Sequence, residues 1–286
     1  MKYIYLSIDI EEWYELEYLK DYHLESTGIE VVPKIIDFLD MLDELQIKAT
    51  FFVIADLLVK DADIIREISS RGHVIGCHGL NHILLYEKSN EIFLSEIKIA
   101  KQQLESVINN NVEGYRASCF SMDRDKLELV KEAGYQYDSS KILFKQHPLY
   151  RDLDLSGFKK IDDLVYNQGT LFEYEIPTLN IGKFDIPISG GGYLRLLPFC
   201  IIKKLINIYE KNHDNFLIYV HPFELTNIKL PFPKEVPLKN KLRANIGRKS
   251  NIKKLKKLLI YYSRKGSEFR TLSQDRNLRM EAGKNS

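Results

Sequence analysis

Two short segments carry side chains that can do chemistry together: SIDIEEW, Ser7 to Trp13, and HGLNH, His78 to His82. The first sets Asp9, Glu11 and Glu12 directly after a strand-like run, Tyr3–Ile8. The second sets two histidines four residues apart after another such run, His73–Cys77. One carboxylate with two imidazoles is a ligand set for a divalent cation that leaves coordination positions open. A further carboxylate at hand can serve as a base. Such a cation lowers the pKa of bound water from about 15.7 towards 7, which is what hydrolysis needs.

Groups so far apart in the chain meet only if strand ends are gathered, and the pattern supplies strands. Ala49–Ile54 is a continuous apolar run of the kind buried on both faces of a parallel sheet. Gly114–Ala117, Tyr135–Asp138, Leu171–Ile176, Phe216–Val220 and Glu268–Leu272 read as further strands. Between them, apolar residues at spacings of three and four predict helices over Pro33–Leu45, Asp63–Arg71, Glu91–Ile108, Asp125–Ala133, Leu197–Lys211 and Asn251–Lys265. Seven or eight such units imply an α/β fold, a distorted (β/α) barrel resembling a TIM barrel, over residues 1–273. A doubly wound open sheet is the alternative, but no Gly-rich phosphate loop follows the first strand. Lys141–Leu164 breaks the repeat as a loop or small insertion, SGGGY (Ser189–Tyr193) reads as a flexible turn, and 274–286 as a polar, disordered tail.

Composition narrows the classes. A net charge of +1 gives no electrostatic case for nucleic acid. Three scattered cysteines, Cys77, Cys119 and Cys200, read as reduced, buried thiols. The first strand begins too early for a cleavable signal, so a cytoplasmic location is expected. No run reaches the roughly 18–20 apolar residues of a membrane span.

Asp9, Glu11, His78, Arg116, Asp138 and His221 all fall at or just beyond the C-terminal end of an expected strand, the face that carries active sites in α/β barrels. Singly, each has a plain structural explanation as a turn residue, cap or surface charge. Six at one end of one sheet do not.

The ordered segments DIEE, GHVIGCHGLNH, GYRASCFS, YQYDSS and IYVHPFEL resemble the polysaccharide deacetylases, the NodB-homology group of carbohydrate esterase family 4, from about Tyr3 to about Leu272. SGGGYLRLLPF (Ser189–Phe199) further resembles a bacterial subgroup associated with exopolysaccharide and surface-glycan biosynthesis. The resemblance implies that Asp9 is the general base and that a following carboxylate, His78 and His82 hold the metal. It implies that Arg116 pairs with the base, that His221 is the general acid, and that Asp138 lies near it. The chain departs from the family's pattern by placing Ile10 between the first two acids, by Ser118 where proline is usual, and by lacking an aromatic residue in the fourth segment. Alternation along a strand puts Asp9 and Glu11 on one side and Glu12 on the other, which favours Glu11 as the ligand. Glu12 takes that place if the chain turns early.

The implied activity is removal of an N-acetyl group from an N-acetylated sugar, carried on a polysaccharide, lipid or nucleotide. Zn²⁺ is the default metal, and Fe²⁺, Co²⁺ or Ni²⁺ also suit the ligands. A backbone N–H near Ser118 is expected at the oxyanion, and Gly191, Gly192 and Tyr193 are expected to contact the sugar, with Tyr193 stacking on it. Hydrolysis of another amide, such as a formamido sugar, and a catalytically inactive sugar-binding homologue are the alternatives. The non-haem iron oxygenases share two histidines and a carboxylate, but with the carboxylate close to the first histidine. Nine Lys or Arg between Lys239 and Lys257 suggest peripheral contact of helix 251–265 with anionic membrane.

Overall fold

The computed structural model describes residues 1–144 and 149–284. Its strands are β1 Tyr3–Ile10, β2 Thr50–Val53, β3 Val74–Cys77, β4 Gly114–Tyr115, β5 Tyr137–Asp138, β6 Lys159–Asp162, β7 Val165–Gln168, β8 Leu171–Tyr174, β9 Leu179–Ile181, β10 Phe184–Ile186, β11 Asn215–Val220 and β12 Glu268–Arg270. Its helices are α1 Ile36–Glu44, α2 Leu58–Ser70, α3 Asn90–Ile108, α4 Arg124–Glu132, α5 Gly191–Leu196, α6 Phe199–Tyr209, α7 Pro222–Leu225, α8 Leu238–Asn245, α9 Arg248–Arg264 and α10 Leu272–Lys284.

The strand order is β11-β1-β2-β3-β4-β5-β8-β7-β6, with β12 beside the start of β1. From β11 to β8 every pairing is parallel. A doubly wound sheet reverses its order at a switch point; this one advances in a single direction, which is barrel winding. The expected α/β barrel class is the observed one.

Alternation along β1 divides its side chains between two environments. Ile4, Leu6, Ile8 and Ile10 pack outward among α1, α2 and their neighbours, while Tyr5 joins Phe52, Tyr137, Tyr174, Leu217 and Tyr219 in an inner aromatic cluster. Ser7 and Asp9 continue the inner row upward, so the barrel interior passes from aromatic to polar towards the strand ends. Gly114 is needed in this interior because a Cβ there would overlap the Tyr137 ring. A third cluster, with Trp13, Leu19, Val31, Phe223 and Val236, seats the 11–32 segment beside the barrel mouth.

Three expectations need correction, while the Lys141–Leu164 break is both an insertion and a loop that sets Phe144, Leu149 and Tyr150 on the cavity at the strand ends. The segment after Ser273 is helical through Lys284. It holds because Tyr174 donates its hydroxyl to buried Asp275, which also takes Arg279 Nε at 2.5 Å. The Lys141–Leu164 break ends in β6, which pairs antiparallel with β7; its residues 145–148 lie outside the described residues. SGGGY is the start of helix α5, with Ser189 accepting from Tyr219 N–H at 3.1 Å, and not a free turn. Of the cysteines, Cys77 is buried, Cys119 half-buried and Cys200 exposed; all three are free.

Candidate active site

Asp9 is set by Arg116. The guanidinium donates through Nη1 to Asp9 Oδ1 at 2.6 Å and to Ser7 Oγ at 2.9 Å. Its other nitrogens are fixed from behind: Nε donates to Ser139 O at 2.9 Å and Nη2 to Ser139 Oγ at 2.8 Å. The Phe52 ring lies 4.2 Å beneath it. Arg116 is wholly buried, so its charge must be matched, and Asp9 matches it. The pair leaves Asp9 Oδ2 facing His221 Nε2 at 4.0 Å.

Glu11, the first residue after β1, converges with His78 and His82. Its Oε2 lies 2.9 Å from His82 Nε2 and 3.7 Å from His78 Nε2. One donor atom from each of the three lies within 4.8 Å of the others. His78 Nδ1 is 2.8 Å from the Arg116 carbonyl. A carbonyl accepts and cannot donate, so the proton sits on Nδ1 and the Nε2 lone pair faces the cluster. This donor set fits a divalent cation. Burial works against the Glu11 charge, but the nearby His82 and His221 outweigh it and hold its pKa well below the usual range.

Glu12 points the other way, as alternation requires. Its carboxylate accepts from Val31 N–H at 2.8 Å and Val32 N–H at 2.8 Å, pinning the 11–32 segment. Burial, opposed by those two bonds, pushes its pKa up to about 7.

His221, one residue beyond β11, turns Nε2 towards Asp9 and, at 3.8 Å, towards Glu11 Oε1. Its Nδ1 lies 3.1 Å from Glu224 Oε2, and its backbone N–H donates to that same oxygen at 3.1 Å. Glu224 Oε1 takes Arg195 Nε at 3.1 Å. Burial depresses the imidazolium, but Glu11, Glu224 and Asp9 together raise the His221 pKa to about 9. Gly191 permits this packing, because a Cβ there would overlap Glu224 Oε2. Glu224 was not expected from the sequence, although a glutamate three residues after a helix-starting histidine is a capping-box spacing.

Asp138 corrects the expectation that it attends His221. It is wholly buried at the end of β5, does not line the cavity, and accepts from Ser140 N–H at 3.0 Å and Ser140 Oγ at 2.9 Å. Its neighbour is Glu173 of β8, which also takes the N–H of Ser140 and Lys141. Burial and the nearby Asp138 charge drive the Glu173 pKa well up, and burial raises that of Asp138 to about 6. Two buried carboxyls that act on one another resist ionising together, and Glu173 is the one driven to keep its proton.

Around Asp9, Glu11, His78, His82 and His221 lies a cavity of about 470 Å³. Its wall is largely apolar, with an aromatic share from Tyr18, Phe120, Tyr150, Tyr193, Tyr219 and Phe223. Cys119 and Phe120 hold left-handed backbone, φ 50° and 51°, a strain of about 1–2 kcal/mol each that is characteristic of functional loops. Gly192 and Tyr193 line the cavity. Ser118 and Gly191 do not: Ser118 is buried with Oγ on the His78 carbonyl at 3.4 Å, and Gly191 is packed behind Glu224.

An α/β barrel whose carboxylates and imidazoles converge on a cavity at the strand ends is the class that fold and site define. Residues 30–137 match the polysaccharide deacetylase family, and residues 146–274 match a family described as a domain of unknown function (DUF3473). The first of these spans likens over a third of the chain to the polysaccharide deacetylases. Asp9 and Glu11 precede the first matched span, and His221 and Glu224 lie in the second. A peptidoglycan-N-acetylglucosamine deacetylase of Bacillus cereus is 27% identical over 160 residues, covering 56% of this chain and 72% of that protein. Chitin deacetylase 2 of Saccharomyces cerevisiae is 26% identical over 96 residues, covering 34% of this chain and 31% of that protein. Among solved structures, a Mycobacterium smegmatis protein described as a polysaccharide deacetylase aligns with a TM-score of 0.61 at 19% identity, over 99% of this chain and 91% of that one. A carbohydrate esterase family 4 pseudoenzyme of Bacillus anthracis aligns at 0.55 and 11% identity, over 96% and 64%. At such identities these two structures speak to the fold alone.

Proposed function

We propose that the chain is a metal-dependent hydrolase that removes the N-acetyl group from an N-acetylated sugar in a glycan. One observation carries this reading: an Arg-held carboxylate, a Glu–His–His donor cluster and a Glu-held imidazole face one cavity. Glu11, His78 and His82 would hold the cation, which supplies Lewis acidity when bound. Asp9 accepts the proton of the attacking water, and Arg116 pairs with that carboxylate and aims it. His221 carries its transferable proton on Nε2, because Nδ1–H is occupied by Glu224, and gives it to the departing amine. The aromatic part of the cavity wall suits the apolar faces of pyranose rings. The likeness of Ser189–Phe199 to the surface-glycan subgroup supports a biosynthetic role.

The test is amine release from N-acetylhexosamine oligomers by protein loaded with Zn²⁺, Fe²⁺, Co²⁺ or Ni²⁺ in turn. Activity should vanish on chelation and return with metal, and Asp9→Asn should lose about 10²-fold or more while still binding metal. Full activity in Asp9→Asn, or no amine release with any metal, refutes the proposal.

A further inference from the structure

Helix α8 exposes apolar side chains where a solvated helix would carry polar ones. Leu238 is 70% exposed and Leu242 58%, one turn apart on the face opposite buried Ala244. Ile246 and Leu196, each 50% exposed, extend this ridge, and both also line the catalytic cavity. The ridge therefore runs to the cavity mouth.

Charge identifies what the ridge meets. From Leu238 to Lys249 there are five Lys or Arg and no Asp or Glu. Lys239, Lys241 and Lys249 form no ion pair among the described residues. Exposed leucines flanked by lysines make an interfacial pattern: the apolar side chains enter the boundary of a bilayer while the ammonium groups meet anionic headgroups. Helix 251–265, the expected contact, is less suited. Its Leu255, Leu258, Leu259 and Tyr262 are buried, Lys254 donates to the carbonyls of Leu194, Arg195 and Leu197, and Lys256 pairs with Glu44.

We infer that α8 and the adjoining Leu196 dock on an anionic membrane surface, so that the cavity takes its glycan from a lipid-anchored carrier. The carrier clause rests on the deacetylase reading; the docking clause does not. Arg195 joins the two, since its Nη1 donates to the carbonyls of Arg243, at the end of α8, and Ile246 while its Nε holds Glu224.

The experiment sediments the full chain with vesicles of pure phosphatidylcholine, or of phosphatidylcholine with about one third phosphatidylglycerol. Binding to the anionic vesicles should exceed that to neutral ones by about ten-fold and weaken in high salt. The double variant Leu238→Glu, Leu242→Glu should lose about ten-fold in binding. Both side chains are exposed and outside the cavity, so its circular dichroism and its rate on a soluble N-acetylated oligosaccharide should match the unaltered chain. Its rate on the same glycan anchored by lipid in anionic vesicles should fall about ten-fold. No sedimentation with either vesicle overturns the docking surface and leaves the ridge to a protein partner; so does undiminished binding by the variant. Vesicle binding without hydrolysis of either substrate overturns the deacetylase reading and leaves the surface standing. Equal rates of unaltered chain and variant on the anchored glycan overturn the carrier assignment.

Discussion

Replacing Glu224 by Gln tests the division of labour at His221. The carboxylate receives three donors: His221 N–H and Nδ1–H on Oε2, and Arg195 Nε–H on Oε1. An amide offers one acceptor oxygen and an NH₂ that is itself a donor, so one side must face donor against donor. Either Arg195 or the imidazole loses a charge-assisted bond, worth about 1.5–3 kcal/mol. At about 1.4 kcal/mol per decade, that is a loss of roughly 10- to 150-fold if it falls on proton delivery. The loss should depend on the leaving group. An amine must be protonated to depart, whereas 4-nitrophenolate leaves unaided. Glu224→Gln should therefore slow amine release from an N-acetylated oligosaccharide by that factor and leave hydrolysis of 4-nitrophenyl acetate within about three-fold. The measurement is kcat on both substrates, with thermal melting to confirm folding. An equal fall on both would mean that Glu224 serves structure or substrate binding; no fall on either would mean that His221 needs no partner.

Two further outcomes are expected. Gly191→Ala should mimic Glu224→Gln, slowing the amide substrate about ten-fold and sparing the ester, and the double variant should be no worse than either single one, because both act on one contact; additive losses would separate them. His73 is buried with Nδ1 accepting from Ala49 N–H at 3.2 Å, and burial first, then Lys48, pulls its pKa to about 4. The unfolded chain takes up that proton near pH 6.5 and the folded chain does not, so stability present above pH 6.5 is lost as pH falls towards 4, by about 3 kcal/mol in all. Urea unfolding at stepped pH should show this slope in the unaltered chain and a flatter one in His73→Gln; identical slopes would exclude His73 as the source.

Much of the site could be read from the chain because strand ends carry their own address. β1, β3, β4 and β11 deliver Asp9, Glu11, His78, Arg116 and His221 to one mouth, and period-two alternation separated Glu11 from Glu12. Asp138 shares that address yet belongs to a different neighbourhood: a strand end specifies depth in the barrel, not which side chains lie across it. Glu224 escaped notice because its role depends on Arg195 and on the missing side chain at Gly191, neither of which is local. Helix α10 is held largely through Asp275 to Tyr174 and Arg279, and polar anchoring leaves little trace in a hydropathy pattern. LKNKLRAN in α8 reads as an ordinary amphipathic helix with its leucines inward; in the fold Ala244 faces inward instead and the leucines face out.

On the proposed reading, Asp9, Glu11 and Glu12 crowd three unrelated duties into four positions: proton acceptor, cation donor and loop anchor. Which acid performs which duty is decided by phase, that is, by whether a residue falls on the inner or outer row of β1 as the strand ends. Deleting Ile10 would keep every acidic residue yet reassign them all, unmooring Val31 and Val32 as it emptied the donor cluster.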